Sequence, residues 1–416
     1  MPDILSESRE AINEIDREMA RLFQRRMETV SRLATYKESQ GLPIYDPKRE
    51  EQLIAANSQL ITDDTLRGYY RSFLRHTLSV SKAYQQQKRH EGCVMLRLGE
   101  NSCPIYPVKG GLKDAARYFG LNRRVLIVTD EGVPEEYAGL LAAQCQFPTV
   151  VRLPQGEGTK CFSSVQYLLH KMLENGFTRA DCCIALGGGV MTDLTGLAAA
   201  LYMRGIDCYY APTTLLAQVD AAIGGKTAVN LSGLKNEAGL FSQPKAVLVD
   251  VSLLDTLSPR HMANGMAEAI KMALVLDRNA FARIENGAPV EDIIHDALLI
   301  KRRIVEADEK EQGLRQVLNF GHTLGHAIES ASGRLHGECV AAGILPMCGE
   351  AIRPRVAAVL AKYGLRTEIP CDRESVLAAL THDKKSTGKT VTLVKCDEIG
   401  SFRLEQCPLE ELEKLL

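Results

Sequence analysis

Three of the nine histidines, His322, His326 and His336, lie within fifteen residues of one another. Imidazole and carboxylate groups bind zinc in proteins, and a catalytic zinc site keeps one position open. His322 and His326 are four residues apart, so one face of a helix can present both to a metal ion. The segment HTLGH lacks the glutamate of the HExxH motif, which argues against a metalloprotease. The cluster therefore predicts a zinc centre of another kind.

Lysine and arginine side chains are frequent around these histidines, often beside apolar runs. They are Lys226, Lys235, Lys271, Lys301, Arg315, Lys384 and Lys385. Arginine and lysine are the side chains that proteins use to bind phosphate and carboxylate groups. The cations therefore indicate a substrate that carries both groups.

A glycine-rich segment, Gly187-Gly188-Gly189, follows an apolar run and precedes a helical stretch. Glycines at such a turn let the backbone approach a pyrophosphate, and a helix N-terminus favours anions. The segment is not the common GxGxxG, and a tight strand–helix turn explains it about as well. Residues 155–160 and 212–220 strengthen the nucleotide interpretation, because each segment follows another apolar run and nucleotides bind at the ends of parallel strands.

The N-terminal segment carries spaced cations of its own. Arg26 and Lys37 are eleven residues apart and share a helix face, whereas Arg9 and Arg26 are about 25 Å apart at 1.5 Å per residue. Arg9 and Arg26 of one straight helix cannot both reach one small dianion, so a partner chain would have to supply one of them. Solvated charges on an exposed helix are the alternative.

The elements that must position these residues form three groups. Helical spacing of apolar residues predicts helices over about 6–38, from 47 to about 60, and from about 64 to 87. After a polar linker at 85–90, apolar runs at 125–128, 150–153, 182–186 and 247–249 alternate with helical stretches, which is typical of a parallel α/β sheet. From about 252 we expect helices and no further strands. The predicted domains are 1–90, 91–251 and 252–416.

Composition excludes several classes of protein. The chain has 416 residues, 45% of them apolar, and a formal net charge of −2, which argues against a disordered chain and against bulk binding to nucleic acid or membrane surfaces. The 12 cysteines form no CxxC pair and predict reduced thiols. With no secretory signal or membrane span evident in the sequence, we expect a cytoplasmic protein.

Residues 6–87 resemble the all-helical chorismate mutase family. The matching residues are Arg9, Arg26, Lys37, Asp46, Arg49, Glu50, Ser81 and Gln85. The resemblance implies an intertwined dimer whose site takes one arginine from the other protomer and converts chorismate to prephenate without a metal or nucleophile. Lys37 and Gln85 would stabilise negative charge on the ether oxygen, and Arg26 would help to hold the substrate. A module that binds chorismate or prephenate only to regulate the rest of the chain is the alternative.

Residues from about 95 to 395 closely resemble the 3-dehydroquinate synthase family. The match runs through the motifs at 187–194, 204–206, 212–230 and 308–323. The resemblance implies a multidomain chain in which the helical module is followed by a nucleotide-binding α/β domain and a mainly α C-terminal domain. By resemblance, Glu268, His322 and His336 bind Zn²⁺ or Co²⁺, His326 transfers protons or supports the metal ligands, and Glu311 accepts a proton.

The resemblance also implies two binding sets. The residues for NAD are Asp130, Glu157, Lys160, Gly188, Gly189, Val190, Asp193, Thr213, Thr214, Leu216, Asp220, Lys235, Leu253, Leu254, Asp255 and Thr256. The residues for substrate are Lys226, Asn236, Lys271, Lys301, Arg315, Asn319 and one of Lys384 or Lys385, with Arg204 reaching a neighbouring protomer. We therefore expect a homodimer or higher homo-oligomer that binds a sugar phosphate.

The reaction implied is cyclisation of 3-deoxy-D-arabino-heptulosonate 7-phosphate to 3-dehydroquinate with loss of phosphate. NAD would be regenerated within each cycle, which makes the enzyme a carbon–oxygen lyase. A zinc-dependent polyol dehydrogenase and another sugar-phosphate cyclase are the alternatives. Gly132, Glu237 and His261 depart from the usual family pattern, and we expect them to shift affinity at most.

Overall fold

The computed structural model describes residues 4–39, 47–89, 93–232, 234–369, 371, 373–379 and 390–408. The chain divides into two compact units, Met1–Pro104 and Ile105–Leu416. The predicted fold class, a helical module followed by an α/β region and a mainly helical region, is confirmed. In the residues described, no helix is both long and apolar enough to cross a membrane. The twelve cysteines all lie among the described residues, and none of them is joined in a disulfide bond.

The first unit consists mainly of three helices, α1 (Ile4–Ser39), α2 (Pro47–Ser58) and α3 (Asp64–Arg89), followed by a short strand, β1 (Val94–Leu96). Helices α1 and α2 both pack against α3. Asp63 caps the N-terminus of α3, because its Oδ1 accepts hydrogen bonds from the Thr65 backbone N (2.8 Å) and hydroxyl (2.7 Å). The described helix ends lie within two residues of the predicted ones.

Side chains 4–25 of α1 are all exposed within the described chain. They include an apolar stripe at heptad spacing, Ile12, Ile15, Met19 and Leu22, of which Leu22 is 60% exposed. Only the later part of α1, at Val30 and Ala34, is buried. The helical unit therefore leaves a long apolar face of its first helix uncovered.

A parallel sheet organises the second unit. Its strands are β2 (Cys103–Pro107), β3 (Arg124–Asp130), β4 (Phe147–Leu153), β5 (Cys182–Gly187), β6 (Asp207–Pro212) and, later in the chain, β9 (Ala246–Val249). They pair in the order β2-β9-β6-β5-β3-β4, and every pair is parallel. Helices α4 (Glu135–Ala142), α5 (Phe162–Glu174) and α6 (Gly189–Leu201) connect the strands. Strand β5 is buried along its whole length, which explains why its sequence is apolar without alternation.

A hairpin between β6 and β9 departs from the predicted pattern. Strands β7 (Lys226–Leu231) and β8 (Leu234–Phe241) pair antiparallel, with an irregularity between Val229 and Leu231. A π-helical turn, Ala217–Ala221, precedes them. This hairpin carries Lys226, Lys235 and Asn236, three residues for which the resemblance implies binding roles.

Helices fill most of the remaining chain. They are α7 (Pro259–Leu276), α8 (Arg278–Glu285), α9 (Val290–Ala307), α10 (His322–Ser332), α11 (His336–Ile344) and α12 (Arg353–Lys362). The expectation that strands stop near 252 was wrong, because β10 (Thr390–Lys395) and β11 (Arg403–Pro408) form an antiparallel hairpin. The sequence of β10, Thr-Val-Thr-Leu-Val-Lys, is rich in β-branched residues, which are typical of strands, and its neighbouring Leu393 and Val394 are both buried.

Candidate active site

Three helices bring the predicted metal ligands together. Glu268 lies in the middle of α7, while His322 and His336 are the first residues of α10 and α11. Oε1 of Glu268 lies 3.5 Å from Nε2 of His322 and 3.3 Å from Nε2 of His336. The three ligand atoms lie within 4.8 Å of one another, a spacing that one metal ion can bridge.

The buried carboxylate of Glu268 fits a cation. Its Oε2 pairs with the buried Lys271, but its Oε1 has no hydrogen-bond partner among the described residues. Burial opposes ionisation of Glu268, yet the Lys271 ammonium holds its pKa well below the usual value. An unpaired, charged and buried oxygen is costly, so a metal ion at this oxygen would satisfy it.

The other ring nitrogens of both histidines face oxygen atoms. Nδ1 of His322 is 3.2 Å from the Phe320 carbonyl, and Nδ1 of His336 is 3.1 Å from Oε2 of Glu329. Such partners keep the proton on Nδ1 and leave Nε2 free to bind a metal. Burial lowers the pKa of His336, but the nearby carboxylates of Glu268 and Glu329 raise it to about 9. The site thus attracts positive charge.

His326 lies beside this cluster and not at its centre. Its ring centroid is 5.2 Å from that of His322 and 5.7 Å from that of His336. His326, Glu329 and His336 also have ligand atoms within 4.8 Å of one another. This position is compatible with the predicted role of His326 in proton transfer or in support of the metal ligands.

Three predicted substrate-binding cations are buried, which is uncommon for charged side chains. They are Lys271, Lys301 and Arg315. Arg315 donates from Nη1 to the Glu309 carbonyl (2.6 Å) and from Nη2 to the Gly224 carbonyl (3.1 Å), while its Nε has no partner among the described residues. The guanidinium is thus held in place by neutral oxygens, and its charge is not cancelled by a directly paired carboxylate.

Lys226, Glu311 and Asn319 form a second polar group. Lys226 makes an ion pair with Glu311, and Nδ2 of Asn319 donates to Oε1 of Glu311 at 2.9 Å. The Glu311 backbone is left-handed (φ 58°), which is unfavourable for a residue other than glycine. The predicted proton acceptor is thus aimed at two predicted substrate-binding residues.

The predicted nucleotide loops lie at the carboxyl ends of β3, β4, β5 and β6. Gly188 is the N-cap of α6, and a Cβ on it would lie 3.1 Å from Cγ2 of Thr214. A Cβ on Gly189 would lie 3.1 Å from the Cβ of Ala221. These glycines keep a narrow notch open at a helix N-terminus, where a pyrophosphate would meet free backbone N–H groups.

Asp130 and Gly132 form the first of these loops, after β3. Oδ1 of Asp130 accepts from the Gly132 backbone N at 2.8 Å, and burial raises the pKa of Asp130. A Cβ at position 132 would clash with Nε2 of Gln155. Gln155 thus occupies the space that a side chain at position 132, where Gly132 departs from the family pattern, would fill.

Lys160 joins the nucleotide loop to the β7–β8 hairpin. Its Nζ is 2.5 Å from both Oδ2 of Asp193 and Oδ1 of Asn236. Burial raises the pKa of Asp193 to about 6, although Lys160 opposes the rise. Asn230 adds a second link, because its Nδ2 donates to Oε1 of Glu157 at 2.9 Å.

Lys235 contacts Glu329, the residue that faces Nδ1 of the predicted metal ligand His336. Its Nζ pairs with Oε1 of Glu329 at 2.5 Å.

Leu253 and Leu254 are buried, whereas Asp255 and Thr256 are exposed. Thr256 lies 3.3 Å from the Tyr137 hydroxyl. Arg204 is exposed on a turn with a left-handed backbone (φ 69°).

The other predicted nucleotide residues keep their places on the turns after β5 and β6. Val190 is in the first turn of α6, Thr213, Thr214 and Leu216 follow β6, and Asp220 is in the π-helical turn. The Thr213 backbone N donates to the Gly187 carbonyl at 3.0 Å, so the two turns are joined directly. Adjacent parallel strands thus supply one continuous edge.

A separate group lies within the helical unit. Arg26 of α1 donates to the buried hydroxyl of Ser81 on α3, and burial lowers the pKa of Arg26. Gln85 is buried, and its Oε1 has no hydrogen-bond partner among the described residues.

Glu50 pairs with Lys82 at 3.1 Å. Arg9 and Arg49 are exposed, and Lys37 is half-buried. Asp46, Lys384 and Lys385 lie outside the described residues.

Sequence reasoning missed Glu329, Asn230 and Lys82. Glu329 is three residues after His326 and seven after His322, so helix periodicity places all three on one face and could have identified it. Asn230 and Lys82 carry no comparable pattern, because their partners are distant in sequence.

Family models match three segments of the chain. They are chorismate mutase type II over residues 8–86, 3-dehydroquinate synthase N-terminal over 150–264 and 3-dehydroquinate synthase C-terminal over 265–386.

Curated relatives agree with the two larger segments. A 3-dehydroquinate synthase of Streptococcus sanguinis (strain SK36) is 38% identical over 336 residues, which covers 74% of this chain and 95% of the relative. A 3-dehydroquinate synthase of Enterococcus faecalis (strain ATCC 47077 / OG1RF) is 40% identical over 320 residues, covering 71% and 89%.

Solved structures share the fold. A 2-epi-5-epi-valiolone synthase from Streptomyces hygroscopicus subsp. jinggangensis 5008, with NAD+ and Zn2+ bound, has a TM-score of 0.70 at 28% identity and covers 77% of this chain and 97% of its own. A 2-deoxy-scyllo-inosose synthase complexed with carbaglucose-6-phosphate, NAD+ and Co2+ has a TM-score of 0.72 at 24% identity, covering 78% and 98%.

Proposed function

The chain belongs to the 3-dehydroquinate synthase family and carries an N-terminal chorismate mutase type II domain, and from this premise we propose its reactions. The second unit converts 3-deoxy-D-arabino-heptulosonate 7-phosphate to 3-dehydroquinate and releases phosphate. One observation carries this proposal. The carboxylate of Glu268 has an unsatisfied oxygen that faces two histidines, and its other oxygen pairs with the buried Lys271, one of the buried cations that suit an anionic substrate.

The cofactors proposed are NAD and a divalent metal ion, Zn²⁺ or Co²⁺. Glu268, His322 and His336 would hold the metal, and the notch at Gly188 and Gly189 would hold the pyrophosphate of NAD. When bound, NAD accepts and returns a hydride and the metal acts as a Lewis acid on substrate hydroxyls. The unpartnered carboxylate oxygen of Glu268 supports the metal assignment, and the notch at the N-terminus of α6 supports the NAD assignment.

The chain's own residues would hold the anionic groups of the substrate. Lys271, Lys301 and Arg315 act from a buried environment, where their attraction for phosphate and carboxylate is screened less than in water. Lys226, Asn236 and Asn319 would complete the binding set, and Arg204 would reach the site of a neighbouring protomer. Glu311, held by Lys226 and Asn319, would accept a proton from the substrate, and His326 would move protons near the metal.

The same cations separate this proposal from its alternatives. A polyol dehydrogenase acts on a neutral substrate and needs no phosphate or carboxylate clamp. Another sugar-phosphate cyclase would also need cations that bind phosphate. The full set of Lys226, Asn236, Lys301, Arg315 and Asn319 favours a substrate that carries a carboxylate as well. The relatives at 38–40% identity are 3-dehydroquinate synthases, which also supports the carboxylated substrate.

For the helical unit we propose conversion of chorismate to prephenate. The observation that favours it is the buried pair Ser81 and Gln85 beside Arg26, where Oε1 of Gln85 lacks a partner among the described residues. Oε1 of Gln85 is an acceptor, so a substrate hydroxyl would satisfy it, and the Arg26 guanidinium would bind a substrate carboxylate. The exposed stripe at Ile12, Ile15, Met19 and Leu22 supports an intertwined dimer, because a second copy of α1 would cover it. Arg9 would then belong to the partner's site.

We also propose three folding units, 1–90, 91–251 and 252–416. Helix α3 ends at Arg89, and β9, the last strand of the parallel sheet, ends at Val249. A cytoplasmic location stays a prediction.

One assay tests the cyclase. Purified protein receives Zn²⁺, NAD and the heptulosonate phosphate, and phosphate and NADH are followed together. We expect many phosphates released per NAD with no accumulation of NADH, because the cofactor is regenerated. Steady net NADH formation without phosphate release would instead favour the dehydrogenase. Chorismate is supplied in a separate reaction, and prephenate is the expected product.

A further inference from the structure

Glu329 connects the metal cluster to the β7–β8 hairpin. It is buried on α10, and its two carboxylate oxygens have different partners. Oε2 lies 3.1 Å from Nδ1 of His336, and Oε1 lies 2.5 Å from Nζ of Lys235. One carboxylate thus touches a proposed metal ligand on one side and a cation from the hairpin on the other.

The contact with His336 fixes both the ring's orientation and its tautomer. A carboxylate at Nδ1 keeps the proton on that nitrogen, so Nε2 presents its lone pair to the metal site. His336 is the first residue of α11, and Glu329 is the hydrogen-bond partner of its Nδ1. Its side chain therefore depends on Glu329 for a single orientation.

Lys235 restrains Glu329 in turn. It lies near the turn between β7 and β8, and its side chain is 34% exposed. The next residue, Asn236, has a left-handed backbone (φ 58°) and accepts a hydrogen bond from Lys160 at 2.5 Å. Lys235 therefore comes from a backbone segment that is itself held in place.

We propose that Glu329 is a positioning residue for the metal centre and that Lys235, through Glu329, sets the metal affinity. The proposal rests on the proposed function in one respect, the metal site at Glu268, His322 and His336. Loss of Glu329 would remove the partner of Nδ1 in His336, so neither the ring orientation nor the tautomer would be fixed from that side. Loss of Lys235 would leave the Glu329 carboxylate without its counter-charge and without one of its two anchors.

The test measures metal affinity, not turnover. Full-length protein without NAD or substrate competes with a chromophoric chelator for Zn²⁺. We expect Glu329→Ala to weaken binding by about 10–100-fold, which is the usual effect of removing such a partner. Glu329→Gln restores an acceptor for Nδ1–H and should recover part of the loss. Lys235→Met should weaken binding less than Glu329→Ala, and the double variant should be no weaker than Glu329→Ala alone.

Co²⁺-loaded protein adds a readout of geometry. The visible absorption of bound Co²⁺ depends on the arrangement of its ligands, so a reoriented His336 ring would change the spectrum. We expect a changed spectrum in Glu329→Ala and one closer to wild type in Glu329→Gln. An unchanged spectrum in all variants would overturn the positioning role.

Glu338→Gln is the matched control. Glu338 is two residues after His336 on α11 and forms a two-point ion pair with Arg260, at 2.7 and 2.9 Å. Its change removes a nearby carboxylate charge but leaves the partner of Nδ1 in place, so Zn²⁺ affinity should stay at the wild-type value. Equal losses in Glu329→Gln and Glu338→Gln would attribute the effect to charge alone and overturn the proposal.

Zn²⁺ binding by the wild-type protein separates a failure of the proposed metal site from a failure of the positioning role. If the wild-type protein binds no Zn²⁺ tightly, the proposed metal site falls, and this inference falls with it. If the wild-type protein binds tightly and the Glu329 and Lys235 variants bind equally well, the metal site stands and only the positioning role is overturned.

Discussion

Lys301 on α9 donates from its Nζ to both the carboxylate and the backbone carbonyl of Asp220, the carbonyl at 2.6 Å. Asp220 lies in the π-helical turn after β6, among the residues proposed for NAD, whereas Lys301 is proposed for substrate. The two groups therefore form one unit across the sheet and the helical region. A change at either residue should affect both binding sites.

This pairing leads to a pH dependence. Burial lowers the pKa of Lys301 to about 8, although Asp220 works in the opposite direction. Below pH 8 the free enzyme carries the charge on Lys301, and above pH 8 it loses that charge. We expect kcat/KM for the sugar phosphate to fall as pH rises from 7 to 9, because kcat/KM reports groups of the free enzyme. The substrate phosphate, with a second pKa of about 6, is already ionised in this range.

Lys301→Arg is the control for this profile, since arginine stays protonated throughout. Its kcat/KM should be lower than that of wild type at pH 7 but nearly flat between pH 7 and 9. The same decline in both proteins would assign the titration to another group.

Much of the fold could be predicted, because its elements are long or strongly patterned. The helices of residues 4–89 have a clear period, and the buried strands such as β5 are apolar without interruption. The β7–β8 hairpin was missed because its strands contain charged and small residues and most of its β8 side chains are at least partly exposed. Strand β8 has no buried side chain, so the alternation of apolar and polar residues that identifies a half-buried strand is weak there.

The residues of the candidate site could likewise be predicted only in part. Residues in compact motifs, such as His322 and Gly188, could be placed from spacing and resemblance. Contacts between distant segments could not, because nothing in sequence pairs Lys235 with Glu329 or Lys160 with Asn236. Such pairs depend on the register of the hairpin, which only the fold determines.

The buried pair Glu268 and Lys271 separates metal binding from stability. Glu268→Gln should abolish Zn²⁺ binding and lower the free energy of unfolding by about 3–5 kcal/mol, because it leaves Lys271 buried without its partner. Adding Lys271→Met to Glu268→Gln removes the second charge and should restore most of the stability. Zn²⁺ binding should stay absent in the double variant.

Thermal unfolding with and without Zn²⁺ measures both effects. A metal ion at 100 times its Kd stabilises the wild-type protein by about 2.7 kcal/mol, so its melting temperature should rise. Neither Glu268 variant should respond to Zn²⁺. His261→Gln, on the same helix but outside the cluster, should respond as wild type does. A Zn²⁺ response in Glu268→Gln would remove Glu268 from the ligand set.

Gly188→Ala tests the proposed pyrophosphate notch. The Gly188 backbone (φ −78°) suits alanine, so the substitution adds only a methyl group, 3.1 Å from Cγ2 of Thr214. We expect the Kd for NAD to rise about tenfold, which corresponds to about 1.4 kcal/mol, with a small change in melting temperature. Gly139→Ala on α4, where a Cβ meets no atom within 4 Å, should leave NAD binding unchanged. Equal affinities for NAD in all three proteins would exclude Gly188 from the cofactor site.

Arg26→Ala decides between catalysis and regulation in the helical unit. Arg26 donates to Ser81 on α3 and is half-buried, whereas the neighbouring Arg25 is exposed, so Arg25→Ala removes the same charge without touching Ser81. If the unit is catalytic, Arg26→Ala should lower prephenate formation by roughly 100–1,000-fold, the usual cost of losing one electrostatic contact to a transition state. Arg25→Ala should be near wild type, and phosphate release from the heptulosonate phosphate should be unchanged in both variants. Prephenate formation that survives Arg26→Ala would remove the catalytic assignment. If chorismate or prephenate then alters the rate of phosphate release in wild type but not in Arg26→Ala, the helical unit is a regulatory module.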